Sequence, residues 1–112
     1  NNLLDRGFTV CLTADHGNLE SVGTGKINEG VMAENRGQRV RVYPNQVLRD
    51  ASLNAQQGLS HEFDVGVLPD GCFPLFASGR GAFVAQDETI VAHGGTSLDE
   101  LLVPWVVLRR SE

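Results

Sequence analysis

Hydrophobic and polar positions follow each other along the chain in short stretches that predict more strands than helices. Residues 8–13 form a continuous apolar and β-branched run, which predicts a strand buried on both faces in a parallel or mixed sheet. Residues 38–43 alternate polar and apolar side chains, which predicts a strand with one solvated face that ends at Pro44. Further short strands are expected at 72–77, 82–85 and 105–108.

Two segments carry the signals of helices. Apolar residues between 45 and 57 recur at helical spacing, and Asn45 and Gly58 provide a cap and a stop. Farther along, Ser97 and Glu100 form a capping box, in which the serine caps the amide three residues on and the glutamate reaches back. We therefore expect one helix of moderate length and one of only one or two turns.

Three features depart from regular patterns. Residues 1–7 resemble the last turns of a helix and its glycine stop, so we expect the sequence to be the C-terminal part of a longer domain. Residues 21–37 are rich in Gly, Asn and Glu, which predicts a long loop or an insertion. Pro74 predicts that the strand at 72–77 is an edge strand or an irregular one.

Composition excludes several classes of protein. The 112 residues are 41% hydrophobic and 21% charged, which is ordinary for one globular domain or a piece of one. No apolar run approaches the roughly 18 residues that span a bilayer, so we expect a soluble, cytoplasmic protein without membrane contact. The net charge of −5 argues against a nucleic-acid-binding module with a broad basic face. Cys11 and Cys72 lie in apolar stretches and are expected to be reduced core residues.

Two predicted strand ends carry side chains that bind metal ions. Asp15 and His16 closely follow the first predicted strand, and His93 follows the apolar run at 90–92. Carboxylate oxygens and imidazole nitrogens are ligands for zinc and similar divalent ions. Glycines that allow a sharp backbone turn follow each histidine: Gly17, Gly94 and Gly95. Because strand ends of one sheet can converge, we expect these side chains to share one cavity at the rim of a sheet.

Other candidate groups fit less well. Residues 23–26 invite comparison with a phosphate-binding loop, but Glu20 stands where the first glycine is required. Ser97 is better explained as a helix cap than as a nucleophile. Neither segment is therefore assigned to catalysis.

Two charged groups leave alternatives open. His61 has Glu62 and Asp64 nearby, but the group matches no metal motif, and we expect a solvated loop histidine. Arg39 and Arg41 occupy the expected solvated face of a strand. They are either ordinary solubility charges or part of a phosphate-facing surface.

The motifs resemble those of a known family. Residues 13–18, with the sequence Thr-Ala-Asp-His-Gly-Asn, are similar to the metal-binding Asp-His motif of the alkaline phosphatase superfamily, which includes the cofactor-independent phosphoglycerate mutases. The whole pattern most resembles the PglZ family of bacterial phage-growth-limitation and BREX defence systems. That family's strand of the type Arg-Val-Arg-Val-Tyr resembles residues 39–43, and its later histidine motif resembles residues 93–104. The resemblance covers nearly the whole chain, and residues 93–104 are its most specific part.

The resemblance implies a fold and a ligand set. The fold is α/β, with residues 1–112 as one partial domain: the C-terminal portion of an alkaline-phosphatase-like sheet with flanking helices and a small β-rich insertion. Asp15 and His16 match ligands of one metal ion and His93 matches a ligand of a second, usually zinc and in some branches manganese. Asn18 and the neighbouring glycines would support these ligands. The nucleophile and the remaining ligands are expected upstream, in the missing N-terminal part of the same chain.

Three functions are compatible with the residues. The first is the C-terminal part of a metal-dependent phosphatase or phosphodiesterase of the PglZ type, acting on a phosphate ester in phage defence with other defence proteins as partners. The second is part of a phosphoglycerate-mutase-like enzyme, and the third is a non-catalytic scaffold with the same fold. We expect the 112-residue chain by itself to bind metal weakly and to be inactive.

Overall fold

The computed structural model describes residues 2–26, 34–35, 37–63 and 66–111. Within these residues the chain forms three helices and nine strands, so the predicted mixture of helices and strands is confirmed. The helices are α1 (Asn2–Asp5), α2 (Gln46–Ala55) and α3 (Leu98–Leu101). The strands are β1 (Val10–Thr13), β2 (Leu19–Gly23), β3 (Glu34–Asn35), β4 (Val40–Tyr43), β5 (Ser60–His61), β6 (Phe73–Ala77), β7 (Gly81–Ala82), β8 (Thr89–Ala92) and β9 (Trp105–Leu108).

The strands form three small sheets. β1 and β9 pair antiparallel in a two-stranded ribbon. β2 lies between β7, which is parallel to it, and β8, which is antiparallel. The third sheet is antiparallel and has the order β3, β4, β6, β5. Within the described residues, therefore, the strands are divided among three separate sheets.

Large apolar side chains are buried in the four-stranded sheet and in the segment after β7. Tyr43 of β4 and Leu75 of β6 are buried on neighbouring strands, and Phe83 is buried just beyond β7. Helix α2 packs on β4 and β6. This part of the molecule is the buried base from which the loops described below extend.

Helix α2 begins after its predicted cap, and both α1 and α2 end shortly before the glycines predicted to stop them. The Asn45 side-chain oxygen accepts a hydrogen bond from the Leu48 amide at 3.0 Å, which caps α2. Gly58 has a φ of +81° just after the helix, a conformation that favours glycine. Gly7 has a φ of +83° after α1, as expected for a helix that stops at a glycine.

The β1–β9 ribbon is exposed. β1 has one half-buried and three exposed residues, and all four residues of β9 are exposed. The prediction that residues 8–13 are buried on both faces is therefore wrong, because among the described residues β1 pairs with β9 alone. Leu12 is 52% exposed and Trp105 is 70% exposed, so the ribbon presents apolar side chains to solvent.

The position of β6 contradicts the interpretation of Pro74. β6 lies inside its sheet, between β4 and β5, so the predicted edge strand is wrong. β5 pairs only with Phe76 and Ala77, and Pro74 lies beyond the end of that pairing. The missing proline amide is therefore tolerated in an internal strand because the neighbouring strand is short.

The loop expected at residues 21–37 begins later than predicted. β2 continues to Gly23, and its residues alternate between buried and exposed positions. Ser21 and Gly23 are on the buried face, and such small residues hide the alternation from a hydrophobicity pattern. Residues 27–33 and 36, which belong to the same expected loop, lie outside the described residues.

Neither cysteine is a core residue. Cys11 and Cys72 are both free thiols, as predicted, but Cys11 is exposed on the ribbon and Cys72 is half-buried. Among the helices that the structure describes, none has both the length and the apolar character that crossing a bilayer requires.

Candidate metal centre

The pairing of β2 with β8 brings His16 and His93 together. The two strands are antiparallel, and Leu19 lies opposite Ala92. His16 comes shortly before Leu19, and His93 comes directly after Ala92, so both histidines leave the sheet at the same end. Their rings stack with centroids 4.1 Å apart and an interplanar angle of 11°. The contact thus forms at the end of an antiparallel pair, not at the shared carboxyl ends of two strands of one sheet.

The His16 ring is held by its own neighbourhood. Its Nδ1 lies 2.8 Å from the Gly17 carbonyl oxygen. A carbonyl oxygen can only accept, so Nδ1 carries the proton and donates, which leaves the ring's lone pair on Nε2. Asp15 Oδ1 accepts from the His16 amide at 3.1 Å and lies 3.7 Å from His16 Nε2. The Asp15 side chain is 90% exposed, so its carboxylate is accessible.

Gly17 anchors the loop of residues 14–18, the His16 loop, to helix α3. Its amide donates to the Glu100 carbonyl oxygen at 2.8 Å. A Cβ atom at this position would lie 1.8 Å from the Asp99 carbonyl oxygen. The glycine predicted to permit a sharp turn therefore has a second role, because only a residue without a side chain allows this close backbone approach.

The Gly17→Ala variant should be destabilised and should lose the contact between His16 and His93. Forcing a methyl group into a filled space costs about 1–3 kcal/mol, and we expect a value near the upper end because the obstructing atoms are backbone. Chemical denaturation would measure this loss, with Gly71→Ala as the matched control. Gly71 has a φ of +77° but open space around its Cβ position, so its variant should lose only about 1 kcal/mol. Equal losses in the two variants would contradict this reading of Gly17.

A buried ion pair lies behind the loop of residues 93–97, the His93 loop. Arg39 Nε donates to Glu100 Oε1 at 2.6 Å, and the two side chains are 2% and 1% exposed. Arg39 also donates to the carbonyl oxygens of Gly79, at 3.0 Å, and Gly81. Both interpretations of Arg39, as a solubility charge and as part of a phosphate-facing surface, are therefore wrong.

The Glu100 carboxylate binds the His93 loop as well as Arg39. Its Oε1 accepts from the Gly95 amide at 2.8 Å, and its Oε2 accepts from the Ser97 amide at 3.3 Å and the Ser97 hydroxyl at 2.7 Å. The reach of Glu100 back to Ser97 is the interaction predicted from the capping box. Burial raises the pKa of Glu100, but hydrogen bonds from Ser97, Arg39 and Gly95 and the charge of Arg39 outweigh it, so this pKa lies below its ordinary value.

The two glycines of the His93 loop are required by its geometry. Gly94 has a φ of +96°, which favours glycine. A Cβ atom at Gly95 would lie 2.6 Å from Glu100 Oε2 and 2.7 Å from Arg39 Nε and Nη2. The sequence His-Gly-Gly thus lets the loop turn and lets the ion pair approach its backbone.

Arg41 also binds backbone groups. Its Nη1 donates to the Gly37 carbonyl oxygen at 3.1 Å and its Nη2 to the Phe83 carbonyl oxygen at 2.9 Å. Its guanidinium group lies over the Phe83 ring, 5.1 Å from the centroid. These contacts bind the Arg41 side chain to neighbouring backbone groups, so the expectation of an ordinary solubility charge is wrong.

His61 is not the solvated loop residue that the sequence suggested. It lies in β5, is half-buried, and its ring contacts the Ser78 hydroxyl through Nδ1 at 3.3 Å and the Thr96 hydroxyl through Nε2 at 3.0 Å. Burial and the nearby positive charge of Arg39 lower the pKa of His61. Asp64, considered as a neighbour of His61, lies outside the described residues.

The lowered pKa of His61 predicts a loss of stability in mild acid. In the unfolded chain His61 binds a proton as the pH falls through about 6.5, whereas in the folded chain it binds one only at lower pH. The unfolded state then holds more protons, so stability falls as the pH decreases below about 6.5. Urea denaturation at pH 7.5 and at pH 5.5 should show a smaller decrease for His61→Gln than for the unsubstituted chain. Identical decreases would contradict the assignment to His61, since the two proteins differ only at this residue.

The candidate ligands are brought together in pairs. His16 contacts His93 through its ring and lies near the Asp15 carboxylate, and Asn18, two residues after His16, is exposed. Within the part of the chain that the structure describes, no three or more His, Cys, Asp or Glu residues are grouped to hold one metal ion. A catalytic zinc site takes about three protein ligands for each ion. The donors present therefore suit an ion only as part of a larger ligand set.

A family model described as the BREX system PglZ alkaline phosphatase-like domain matches residues 1–108. The chain belongs to the PglZ family. The PglZ match includes both histidine loops, Arg39 with the strand β4 that follows it, and helix α3, so the resemblance inferred from the sequence motifs is confirmed. Neither a curated protein nor a solved structure matches the chain.

Sequence reasoning missed the roles of two residues that lie behind the histidine loops of this PglZ chain. Arg39 gave no signal of burial, because its place in an alternating pattern predicts exposure. Glu100 was recognised only as half of a capping box, although its carboxylate and its carbonyl oxygen bind different histidine loops. A glutamate that follows two glycines at short spacing is the only sequence feature that could have pointed to it.

Proposed function

We propose that this chain supplies Asp15, His16 and His93 as ligands to a metal-dependent phosphohydrolase that acts on a phosphate ester. The observation that carries the proposal is the stacking of His16 on His93 at 4.1 Å, since it joins two motifs from distant parts of the sequence. The family description supports an alkaline phosphatase-like reaction, and its BREX name supports a role in phage defence. We propose that this role is carried out in the cytoplasm, with other defence proteins as partners.

The resemblance to the alkaline phosphatase superfamily divides the ligands between two ions, which would be held by different histidines. Asp15 Oδ1 and His16 Nε2 are 3.7 Å apart, near the about 3.3 Å expected between two ligands of a tetrahedral zinc. We therefore assign Asp15 and His16 to one ion and His93 to the second.

Each part of the site would have a distinct role. Zinc or manganese ions would supply a Lewis acid for the phosphoryl oxygens and activate the nucleophile. The hydrogen bond from His16 Nδ1 to the Gly17 carbonyl oxygen orients the ring and makes Nε2 a better ligand. Glu100 holds both histidine loops through backbone amides. The nucleophile and the remaining ligands are assigned to an upstream segment of the same chain.

We propose that the upstream segment packs against the exposed faces of the β1–β9 ribbon. Apolar side chains exposed on and beside the ribbon are Phe8, Leu12, Val103, Trp105, Val106, Val107 and Leu108. A patch of this kind marks an interface rather than an ordinary surface. We call the chain together with this upstream segment the intact protein. Backbone amide protons of residues 10–13 and 105–108 should exchange with solvent more slowly in the intact protein than in the 112-residue chain. Equal exchange rates in the two proteins would count against this contact.

Substrate comparison in the intact protein tests the proposed function. We expect hydrolysis of an activated phosphodiester or phosphomonoester that a chelator abolishes and that added zinc or manganese restores. Isomerisation of phosphoglycerate would favour the mutase-like alternative instead. If the intact protein binds neither metal and turns over no substrate, the non-catalytic scaffold is favoured. Measurable turnover by the 112-residue chain alone would contradict the need for upstream residues.

A further inference from the structure

We propose that the Arg39–Glu100 ion pair is the positioning element that sets the contact between His16 and His93. Its effect on metal affinity rests on the proposed function, but its effect on the ring contact does not. Neither residue is assigned to substrate or metal, because both side chains are almost completely buried. The pair acts through the backbone of the two histidine loops.

Glu100 connects both histidine loops to one point in the structure. Its carbonyl oxygen accepts from the Gly17 amide at 2.8 Å, next to His16. Its carboxylate accepts from the Gly95 amide at 2.8 Å, two residues after His93. A displacement of Glu100 would therefore move one loop relative to the other.

Arg39 fixes the carboxylate to the base of the molecule. Arg39 directly precedes β4, and its guanidinium group binds Glu100 as well as two carbonyl oxygens: that of Gly79, between β6 and β7, and that of Gly81, the first residue of β7. The planar guanidinium group can make these bonds together in fixed directions, which a lysine ammonium group cannot reproduce. The loops are in this way connected to β4, β6 and β7.

The buried charges are better explained by geometry than by stability. A buried ion pair costs so much desolvation that an apolar pair of similar volume is often equally stable. Such a replacement would, however, remove the acceptor of the Gly95 amide and the fixed bonds of Arg39. A role limited to stability and a role in positioning therefore predict different results for the same double variant.

The test compares two double variants of the intact protein. Arg39→Met with Glu100→Leu removes the proposed positioning pair and leaves an apolar pair of similar volume. Arg49→Met with Glu62→Leu removes another ion pair, of 2.8 Å, in which Glu62 is 52% exposed, and serves as the control for the loss of a charge pair; it also removes the contact of Arg49 with Asp50. The readouts are the ring-to-ring NMR contact between His16 and His93, the thermal unfolding midpoint and the affinity for zinc ions alone.

The expected result distinguishes a role of the ion pair in positioning the loops from a role in stability alone. The Arg39/Glu100 variant should remain folded but lose the ring contact and at least tenfold in zinc affinity, whereas the control should keep both. An unchanged ring contact in the folded Arg39/Glu100 variant would overturn the proposal. If the unsubstituted protein shows the ring contact but binds no zinc, the proposed function fails and the ring contact alone decides the positioning role.

A single variant covers the case in which the double variant does not fold. Arg39→Lys keeps the buried pair neutral but loses the planar group that binds Glu100, Gly79 and Gly81 together. It should weaken the ring contact in a protein that remains folded. Retention of the full contact in Arg39→Lys would overturn the proposal as well.

Discussion

The Glu100→Ala variant should lose about 3–5 kcal/mol of unfolding free energy, because it leaves the buried charge of Arg39 without its partner. Arg39 would retain only carbonyl oxygens as acceptors, and these do not neutralise it. The Gly95 amide and the Ser97 amide would also lose their acceptor. We therefore expect one of the largest losses of stability available to a single substitution in this chain.

Chemical denaturation measures the unfolding free energy and so tests this prediction, with Asp99→Ala as the control. Asp99 precedes Glu100 in the same short helix, but its side chain is exposed. Its removal should cost at most about 1 kcal/mol, through the lost favourable charge near the helix N-terminus. A loss below about 1 kcal/mol for Glu100→Ala would show that water reaches the ion pair, and the description of a buried pair would then be wrong.

The His93→Ala variant of the intact protein should lose metal-dependent hydrolysis by at least about a hundredfold. Loss of a residue that only supports a metal ligand costs about 10–100-fold, so loss of a ligand should cost at least as much. The stacked contact with His16 would be lost as well. Activity on an activated phosphate ester, measured with saturating zinc, gives the size of the effect.

His61→Gln is the matched histidine control for this experiment. His61 contacts two hydroxyl groups through its ring, and a glutamine amide can replace hydrogen bonds of that kind. The control should retain activity within a few fold at neutral pH. Hydrolysis that persists both in His93→Ala and in the presence of a chelator would contradict a metal-dependent reaction at this site.

The sequence was sufficient to predict features that depend only on residues close together in the chain. Asn45 and Gly58 mark the two ends of α2 through local backbone chemistry, and Ser97 with Glu100 does the same for α3. The residues that carry the family resemblance are also local motifs. Each of these features requires only a few consecutive residues to adopt a preferred conformation.

Features that depend on distant contacts were not predictable in the same way. Arg39 occupies a position that alternation assigns to solvent, but Glu100, far along the chain, supplies the opposite charge that permits burial. The apolar run at 8–13 predicts burial from composition, yet within the described residues its strand meets only β9. The histidines meet through the register of β2 with β8, and β2 was hidden because small residues occupy its buried face.

A zinc titration of the intact protein, followed by NMR of the ring nitrogens of His16, His61 and His93, tests the central claim most directly. The account predicts that the resonance of His16 Nε2 and one ring nitrogen of His93 shift together as zinc binds. The ring nitrogen resonances of His61, whose ring is hydrogen-bonded to the Ser78 and Thr96 hydroxyl groups, should remain unchanged. Unchanged resonances of His16 and His93 at saturating zinc would contradict the account.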